Sequence, residues 1–188
     1  IRYLPKVKYL ICDITNKKLL KKKIKKPFKY IVNLGGYVDH SNNKKTYRSH
    51  FFGCRNLTEV FLKSFPKAFV QMGSSVEYGN LESPQKENFK YNFKSVKSTY
   101  GKSKLLASKH LIDLFIKKKF PSTILRLYLA YGPKQDINRF IPIIVKGCLK
   151  NEKFPCSEGN QLRDFVHVDD VVEAIFRTLK SKKAKGKI

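Results

Sequence analysis

The chain has 188 residues, of which 41% are hydrophobic, and its formal net charge at pH 7 is +26. This apolar content is enough for one folded domain with a sizeable core, and it excludes an intrinsically disordered chain. No apolar run approaches the ~20 residues that a membrane-spanning helix needs, and the sequence begins with neither an initiator Met nor a signal peptide. We therefore expect a cytoplasmic protein without membrane insertion, whose natural N-terminus lies upstream of Ile1.

The positive charge comes mainly from lysine, because only seven of the 40 basic residues are Arg. Arg supplies the bidentate contacts by which proteins read bases and phosphates, so this composition favours a solvated lysine-rich surface over a specific nucleic-acid site. The four Cys and four His are scattered without ligand spacing. We predict free thiols and no metal site.

Short apolar runs alternate with segments of helical length. Strands are predicted at residues 7–13, 29–36, 67–75 and 122–132, and helices at residues 15–24, 45–65 and 99–119. This alternation is typical of βαβ units, and it predicts an α/β fold with a parallel sheet. After Pro142 the pattern predicts a helix, a turn at residues 157–161, a short strand at residues 164–168 and a helix from Asp169.

Ligands of open α/β sheets bind beyond the carboxyl ends of the strands. The residues at those predicted ends are Asp13, Asn33–Gly36, Gly73–Ser75 and Leu129–Pro133. Gly35 and Gly36 would let the backbone approach a flat ligand, although a tight turn would also use glycine. Asp13 could accept hydrogen bonds from an adenine or a ribose, or it could be the N-cap of the following helix.

Tyr100 and Lys104 stand four residues apart in the predicted helix of residues 99–119, so their side chains lie on one helix face. Taken alone, this pair could arise by chance in a chain rich in both residue types. The order of the surrounding segments decides whether the pair is accidental or functional.

Taken in order, "CDITN", "YIVNLGG", "QMGSSVEYG", "STYGKSK", "ILRLYLAYGP", "NRFIP" and "QLRDFVHVDDVVEAI" resemble the extended short-chain dehydrogenase/reductase family, in its NAD-dependent nucleotide-sugar epimerase, dehydratase and reductase branch. The resemblance implies a Rossmann-like doubly wound parallel sheet that lacks the first strand–helix unit, with the start of a small C-terminal substrate lobe. It implies a partial NAD(P)-binding domain over residues 1–140 and a partial, interleaved substrate-binding lobe over residues 141–188.

The same resemblance implies that Tyr100 and Lys104 are the catalytic pair. Tyr100 would exchange a proton with a sugar hydroxyl, and the ammonium of Lys104 together with the positive nicotinamide ring would lower the pKa of that phenol. Lys104 would also bind the nicotinamide ribose. Ser74 would hold the substrate oxygen, and Ser75 is the alternative if the loop is one residue shorter. These roles require NAD or NADP as the cofactor.

Other positions follow from the resemblance one at a time. Asp13 and Ile14 correspond to a pair that contacts adenine, and Leu34, Gly35 and Gly36 to a loop along the cofactor. Arg163 corresponds to the arginine that binds the diphosphate of a nucleotide-sugar, a role suited to guanidinium. Its alternative is an ion pair with Asp164 or Asp169. The implied partners are a nucleotide-diphosphate sugar and, as in other members, a second copy of the chain in a homodimer.

The chain departs from the family pattern in several places. The glycine-rich GxxGxxG turn is absent, and the sequence stops soon after "VVEAIFRTL", so we expect a fragment of a longer protein or a truncated paralogue. His50 and Leu129 replace usual Asn residues. Ser75 and Val76 occupy the Asp-Glu positions of 4,6-dehydratases, and Glu77 comes one residue later, where an extended backbone would point its side chain elsewhere.

These departures favour an epimerase or a 4-ketoreductase over a dehydratase. A catalytically silent Rossmann-like paralogue is the main alternative, because such a protein would keep the fold without binding the cofactor. A basic nucleic-acid-associated module is a third hypothesis, which predicts salt-dependent binding and leaves the order of the motifs unexplained.

Overall fold

The computed structural model describes residues 3–88 and 92–188. The chain divides into two compact units, one formed by Ile1–Arg126 with Thr178–Ile188 and the other by Leu127–Arg177. The assignment of a cofactor-binding domain to residues 1–140 and a substrate-binding lobe to residues 141–188 stays a prediction.

The first unit contains a three-stranded sheet in the order β1 (Tyr30–Asn33), β2 (Ala68–Ser74) and β3 (Ser122–Leu127). β1 and β2 run parallel, with Asn33 directly opposite Gln71. All but the last residue of β2 are buried, as expected for a central strand that is covered on both faces. This central position places the end of β2 inside the unit.

Three helices of the first unit, α1 (Lys17–Lys23), α2 (Asn43–Tyr47) and α4 (Thr99–Lys118), begin at side-chain caps. Asn16 caps α1, and the Ser98 hydroxyl caps α4 by accepting the Gly101 N–H at 3.0 Å. Between them, α2, a π-helical turn (Arg48–Phe52) and α3 (Gly53–Phe61) follow one another without a break. Short 3₁₀ turns cover Ser75–Tyr78 and Phe93–Ser95.

The core of the first unit joins these helices to the sheet. It takes residues from α3, β2, α4, β3 and the loop before β3, namely Cys54, Phe61, Phe69, Ala107, Leu111, Phe120 and Ile124. The rings of Phe69 and Phe120 meet with their centres 5.5 Å apart. This packing fixes α4 against β2, and it therefore determines where the first turns of α4 lie relative to the end of β2.

The second unit contains β4 (Leu129–Tyr131) and β5 (Phe165–His167), which run parallel with Leu129 opposite Phe165. Two helices accompany them: α5 (Phe140–Lys150), and α6 (Val168–Lys180), which begins in this unit. The prediction of one continuous strand over residues 122–132 is wrong, because β3 and β4 belong to different sheets and Tyr128 lies between them.

The strand predicted at residues 7–13 is also wrong. The segment has no regular secondary structure and is mostly exposed, and within the described residues it joins neither sheet. A strand is stable only when its backbone N–H and C=O groups are paired with a neighbour. The apolar residues of the segment do have β propensity, but no neighbouring strand pairs with their backbone. The other predicted elements are confirmed, with shifted ends.

The first testable prediction concerns the core. Leu111→Ala should lower the free energy of unfolding by about 3–5 kcal/mol, because Leu111 is 0% exposed and its removal leaves a cavity. Ile116→Ala is the matched control on the same helix, since Ile116 is 62% exposed, and it should change stability by no more than about 0.5 kcal/mol. Urea unfolding of both variants checks this; equal losses would show that the helix is packed by another face.

Candidate functional site

Three of the predicted catalytic side chains meet where β2 ends. Ser74 is the last residue of β2, and its side chain is hydrogen-bonded to Tyr100 in the first turn of α4. The Nζ atom of Lys104, one turn further along the helix, lies 5.7 Å from the centre of the Tyr100 ring. Ser75 follows as the first residue of the 3₁₀ turn, so Ser74 is the serine whose side chain reaches the phenol.

The ammonium of Lys104 is buried beneath this site. Its Nζ donates a hydrogen bond of 2.7 Å to the carbonyl oxygen of Met72, two residues before the end of β2. Burial lowers the pKa of Lys104, and the negative charge of Glu77 opposes that shift. The side chain is thus held by the backbone of β2 at a fixed place beside Tyr100.

The pKa of Tyr100 moves in the direction opposite to the expected one. Burial raises the pKa of the phenol, the hydrogen bond with Ser74 opposes this, and the charge of Glu77 adds to the rise. The expectation rested on two positive charges, the ammonium and a nicotinamide ring, and only the first belongs to the protein. The chain alone therefore keeps Tyr100 protonated at neutral pH.

Glu77 forms a buried ion pair directly beneath Ser74. Its carboxylate is fully buried and accepts hydrogen bonds from the Ser74 N–H (2.8 Å), the Ser108 hydroxyl (2.7 Å) and Nε of Arg126 (3.0 Å). The Arg126 side chain is 2% exposed, and its guanidinium also stacks on the Tyr78 ring, with 4.5 Å between Cζ and the ring centre. The backbone here is a 3₁₀ turn, not extended, so the carboxylate turns inward.

Sequence reasoning missed this ion pair. The feature that could have indicated it is Arg126, which lies inside the apolar run "STILRLYLAYG". A buried Arg requires an acidic partner. Fourteen acidic residues could have been that partner, and only the fold selects Glu77.

Two histidine rings contact the phenol, and of these only His50 was singled out by the sequence, as the replacement of a usual Asn. The His40 ring stacks on Tyr100 at 4.1 Å between ring centres, and the His50 ring meets it edge-on at 5.0 Å. His50 lies in the π-helical turn, and its Nε2 is 3.2 Å from the carbonyl oxygen of Tyr37. Burial, and then the positive charge of Lys104, lowers the pKa of His50 to about 4.

The loop Leu34–Gly36 is exposed beyond the carboxyl end of β1. The Gly35 N–H donates to the Asn33 side chain at 3.1 Å. The Gly36 backbone lies so close to the His50 ring that an added Cβ atom would overlap it. Glycine is therefore required at position 36 by close approach, not by a left-handed turn.

The two residues predicted to contact adenine lie near this loop. The Asp13 carboxylate accepts hydrogen bonds from the N–H and the hydroxyl of Thr15, at 2.8 and 3.0 Å. The helix N-cap is Asn16, so the capping alternative for Asp13 is wrong. Asp13 is exposed and lines a cavity of about 570 Å³ with basic side chains, while Ile14 packs beside Gly35 and Gly53.

Arg163 belongs to the second unit, where it lines a largely apolar cavity of about 880 Å³. Its guanidinium donates to the carbonyl oxygen of Leu162 at 2.9 Å. Within the described residues Arg163 forms no ion pair with Asp164 or Asp169. The alternative interpretation of Arg163 as a member of such an ion pair is therefore wrong.

Within residues 3–88 and 92–188, no helix is both long and apolar enough to cross a membrane. The same residues contain no group of three or more His, Cys, Asp or Glu side chains arranged to hold a metal ion.

The family profile that matches the chain, over residues 2–188, is that of the NAD dependent epimerase/dehydratase family. CDP-abequose synthase of Salmonella muenchen is 31% identical over 86 residues, which cover 43% of this chain and 29% of that protein. dTDP-L-rhamnose 4-epimerase of Burkholderia thailandensis is 42% identical over 88 residues, which cover 44% of this chain and 24% of that protein.

A solved structure shows the same fold. dTDP-glucose 4,6-dehydratase from Bacillus anthracis, in complex with NAD, superposes with a TM-score of 0.76 at 25% identity, over 94% of this chain and 55% of that chain. This similarity confirms the Rossmann-like α/β fold that the sequence predicted. The chain spans little more than half the length of this structure and less of the curated relatives.

The second prediction tests the buried ion pair. Glu77→Gln should lower the free energy of unfolding by about 3–5 kcal/mol, because it leaves the buried Arg126 guanidinium without a counter-charge. Glu173→Gln is the matched control: it breaks the exposed pair with Arg177, four residues along α6, and should cost no more than about 0.5 kcal/mol. Denaturant unfolding measures both; a loss below that of the control would contradict a stabilising role for Glu77.

The third prediction concerns pH. The pKa of His50 in the folded chain, about 4, lies below its ordinary value of 6.5, so the unfolded chain takes up the proton first as pH falls. The stability contributed by neutral His50 is complete above pH 6.5 and is lost as pH falls toward 4. Between pH 7.5 and 5 the parent should lose about 2 kcal/mol more than His50→Gln. Equal losses in urea unfolding at the two pH values would contradict this.

Proposed function

Since the chain belongs to the NAD dependent epimerase/dehydratase family, we propose that it acts on a nucleotide-sugar as an NAD(P)-dependent epimerase or 4-ketoreductase. The proposal is carried by one observation: the side chains of Ser74, Tyr100 and Lys104 lie together at the end of β2. Tyr100 is hydrogen-bonded to Ser74, and Lys104 is held beside it. Hydroxyl, phenol and ammonium are the groups that alcohol oxidation and ketone reduction need.

The residues around the site fit a dinucleotide cofactor. The loop Leu34–Gly36 is exposed at the carboxyl end of β1 and has no side chain at two of its three positions, so its backbone can lie against a flat ring. Ile14 packs beside Gly35, and the Asp13 carboxylate is exposed next to it. We assign Asp13, Ile14, Leu34, Gly35 and Gly36 to the cofactor site, with Lys104 at the nicotinamide ribose.

Each catalytic side chain then has one task. Ser74 holds the oxygen of the reacting sugar carbon by a hydrogen bond. Tyr100 takes the hydroxyl proton when the carbon is oxidised, and returns a proton to the oxygen when the ketone is reduced. The ammonium of Lys104 stabilises the phenolate that forms in between. A nicotinamide cofactor held beside Lys104 would supply the hydride chemistry at the same carbon.

The surroundings of Glu77 support an epimerase or reductase over a dehydratase. Eliminating water from the sugar requires a free acid and a free base in addition to Tyr100. Ser75 and Val76 supply neither, and the Glu77 carboxylate is buried with three donors already bound to it. No carboxylate at residues 75–77 is therefore free to act on the substrate.

A nucleotide-sugar is the substrate class that fits the second unit best. The cavity beside Arg163 combines apolar walls with an exposed guanidinium, which suits a nucleotide base and its diphosphate. The names of two relatives, CDP-abequose synthase and dTDP-L-rhamnose 4-epimerase, specify sugars carried on nucleotides.

The fourth prediction tests the proposed function. In the complete protein that the gene encodes, Tyr100→Phe should lower turnover of nucleotide-sugars about 10²–10⁴-fold, because only the proton-transferring hydroxyl is removed. Chromatography of the sugar-nucleotide products formed from a panel of nucleotide-sugars measures the rate of an epimerase, which regenerates its cofactor, and the loss of NADH absorbance measures that of a ketoreductase. Tyr47→Phe is the control, since the ring of this half-buried tyrosine packs, among the described residues, only against the rings of Phe51 and Phe52, and it should retain the parent rate.

Turnover by Tyr100→Phe within about tenfold of the parent would rule out Tyr100 as the acid and base. A parent protein that binds no nicotinamide cofactor would favour the silent paralogue instead.

A further inference from the structure

Two buried amides face each other at the ends of β1 and β2. Asn33 is 6% exposed and Gln71 is 2% exposed, and the sheet register places them directly opposite one another. The Asn33 amide donates to Oε1 of Gln71 at 2.7 Å. The interior of a parallel sheet is normally apolar, so a buried amide pair here must find partners for its remaining polar atoms.

Those partners fix the direction of both amides. At one end, Oδ1 of Asn33 accepts the Gly35 N–H at 3.1 Å, and at the other, Nε2 of Gln71 donates to the carbonyl oxygen of Met72 at 3.0 Å. A backbone N–H can only donate and a backbone carbonyl can only accept. Reversing either amide would therefore set two donors or two acceptors against each other.

The Met72 carbonyl is shared with Lys104. Its oxygen accepts Nε2 of Gln71 and Nζ of Lys104, the latter at 2.7 Å, and two donors use both lone pairs of a carbonyl oxygen. Four hydrogen bonds thus connect the exposed loop Leu34–Gly36 to the buried ammonium, in the order Gly35, Asn33, Gln71, Met72 and Lys104.

We propose that Asn33 and Gln71 are positioning residues, a two-amide relay that holds the loop Leu34–Gly36 and the ammonium of Lys104 in register with each other. This inference rests on the proposed function, in which that loop lies along the cofactor and Lys104 binds its nicotinamide ribose. Neither amide touches the reacting atoms. Their effect is to present two separate parts of the cofactor site as one rigid surface, so that binding does not have to order them.

Three variants separate positioning from mere support of the sheet. Gln71→Met and Asn33→Leu each leave the other amide buried without its partner, which lowers stability. The double variant Asn33→Leu/Gln71→Met removes both amides and leaves apolar side chains of similar size. Its thermal midpoint should therefore recover toward that of the parent, since no unpaired amide remains.

The decisive measurement is NADH affinity of the complete protein. If the relay positions the site, the double variant should bind NADH about tenfold more weakly than the parent even though its stability has recovered, because the loop and Lys104 are no longer linked. ADP lacks the nicotinamide ribose that is assigned to Lys104, so its affinity should fall by less than that of NADH. Recovery of NADH affinity together with stability would overturn the proposal, since that is what a purely structural pair predicts.

A second readout needs no ligand. Hydrogen exchange of the Gly35 amide, followed by NMR, should be about tenfold faster in Gln71→Met, because Asn33 loses the bond that orients it. Gln135→Met is the matched control, since it also removes a glutamine bond to a backbone carbonyl, that of Ala130 at 2.9 Å. An unchanged Gly35 amide in Gln71→Met would also overturn the relay.

The two readouts keep this inference separate from the proposed function. If the parent binds no NADH, or if Tyr100→Phe keeps its activity, the proposed function fails. The exchange of Gly35 then still decides whether the relay exists, because it reports only on the protein.

Discussion

The buried carboxylate of Glu77 is the point on which the arrangement of the site depends. It accepts hydrogen bonds from the backbone at the end of β2, from Ser108 on α4 and from Arg126 on β3. The two oxygen atoms of one carboxylate thereby connect three elements that are distant in sequence. Because an unpaired buried charge is costly, the position of Arg126 and the inward turn of residues 75–78 are determined together, and Ser74 is brought against the first turn of α4.

The same carboxylate sets the electrostatics around Tyr100. Its negative charge raises the pKa of the phenol and supports the charged form of Lys104. The protein alone therefore holds a neutral tyrosine next to a buried ammonium. In the proposed mechanism an oxidised nicotinamide cofactor at this site would add the positive charge that a phenolate needs, and Tyr100 would then lose its proton more readily.

The backbone of β2 links the two sides of the site. Its carbonyl at Met72 holds Lys104, its last residue reaches Tyr100, and its Gln71 is paired with Asn33 on β1. A central parallel strand can do this because it has a neighbour on each side and a helix packed against it. The proposed catalytic groups thus lie at the carboxyl end of the sheet, which is where open α/β folds bind their ligands.

The sequence by itself determined the features that depend on local spacing. The alternation of strand and helix, the shared face of Tyr100 and Lys104, the glycines at positions 35 and 36 and the order of the family segments were all readable, because each needs only residues near one another in the chain. Only the tertiary structure decided that Glu77 pairs with Arg126, 49 residues away, and that Asn33 pairs with Gln71, 38 residues away. It also decided that residues 7–13 form no strand and that His40 and His50 flank the phenol. The physical reason is common to these cases: a buried polar group, a strand or an aromatic ring is stabilised by its partner, and which partner it meets is set by how the chain folds back on itself.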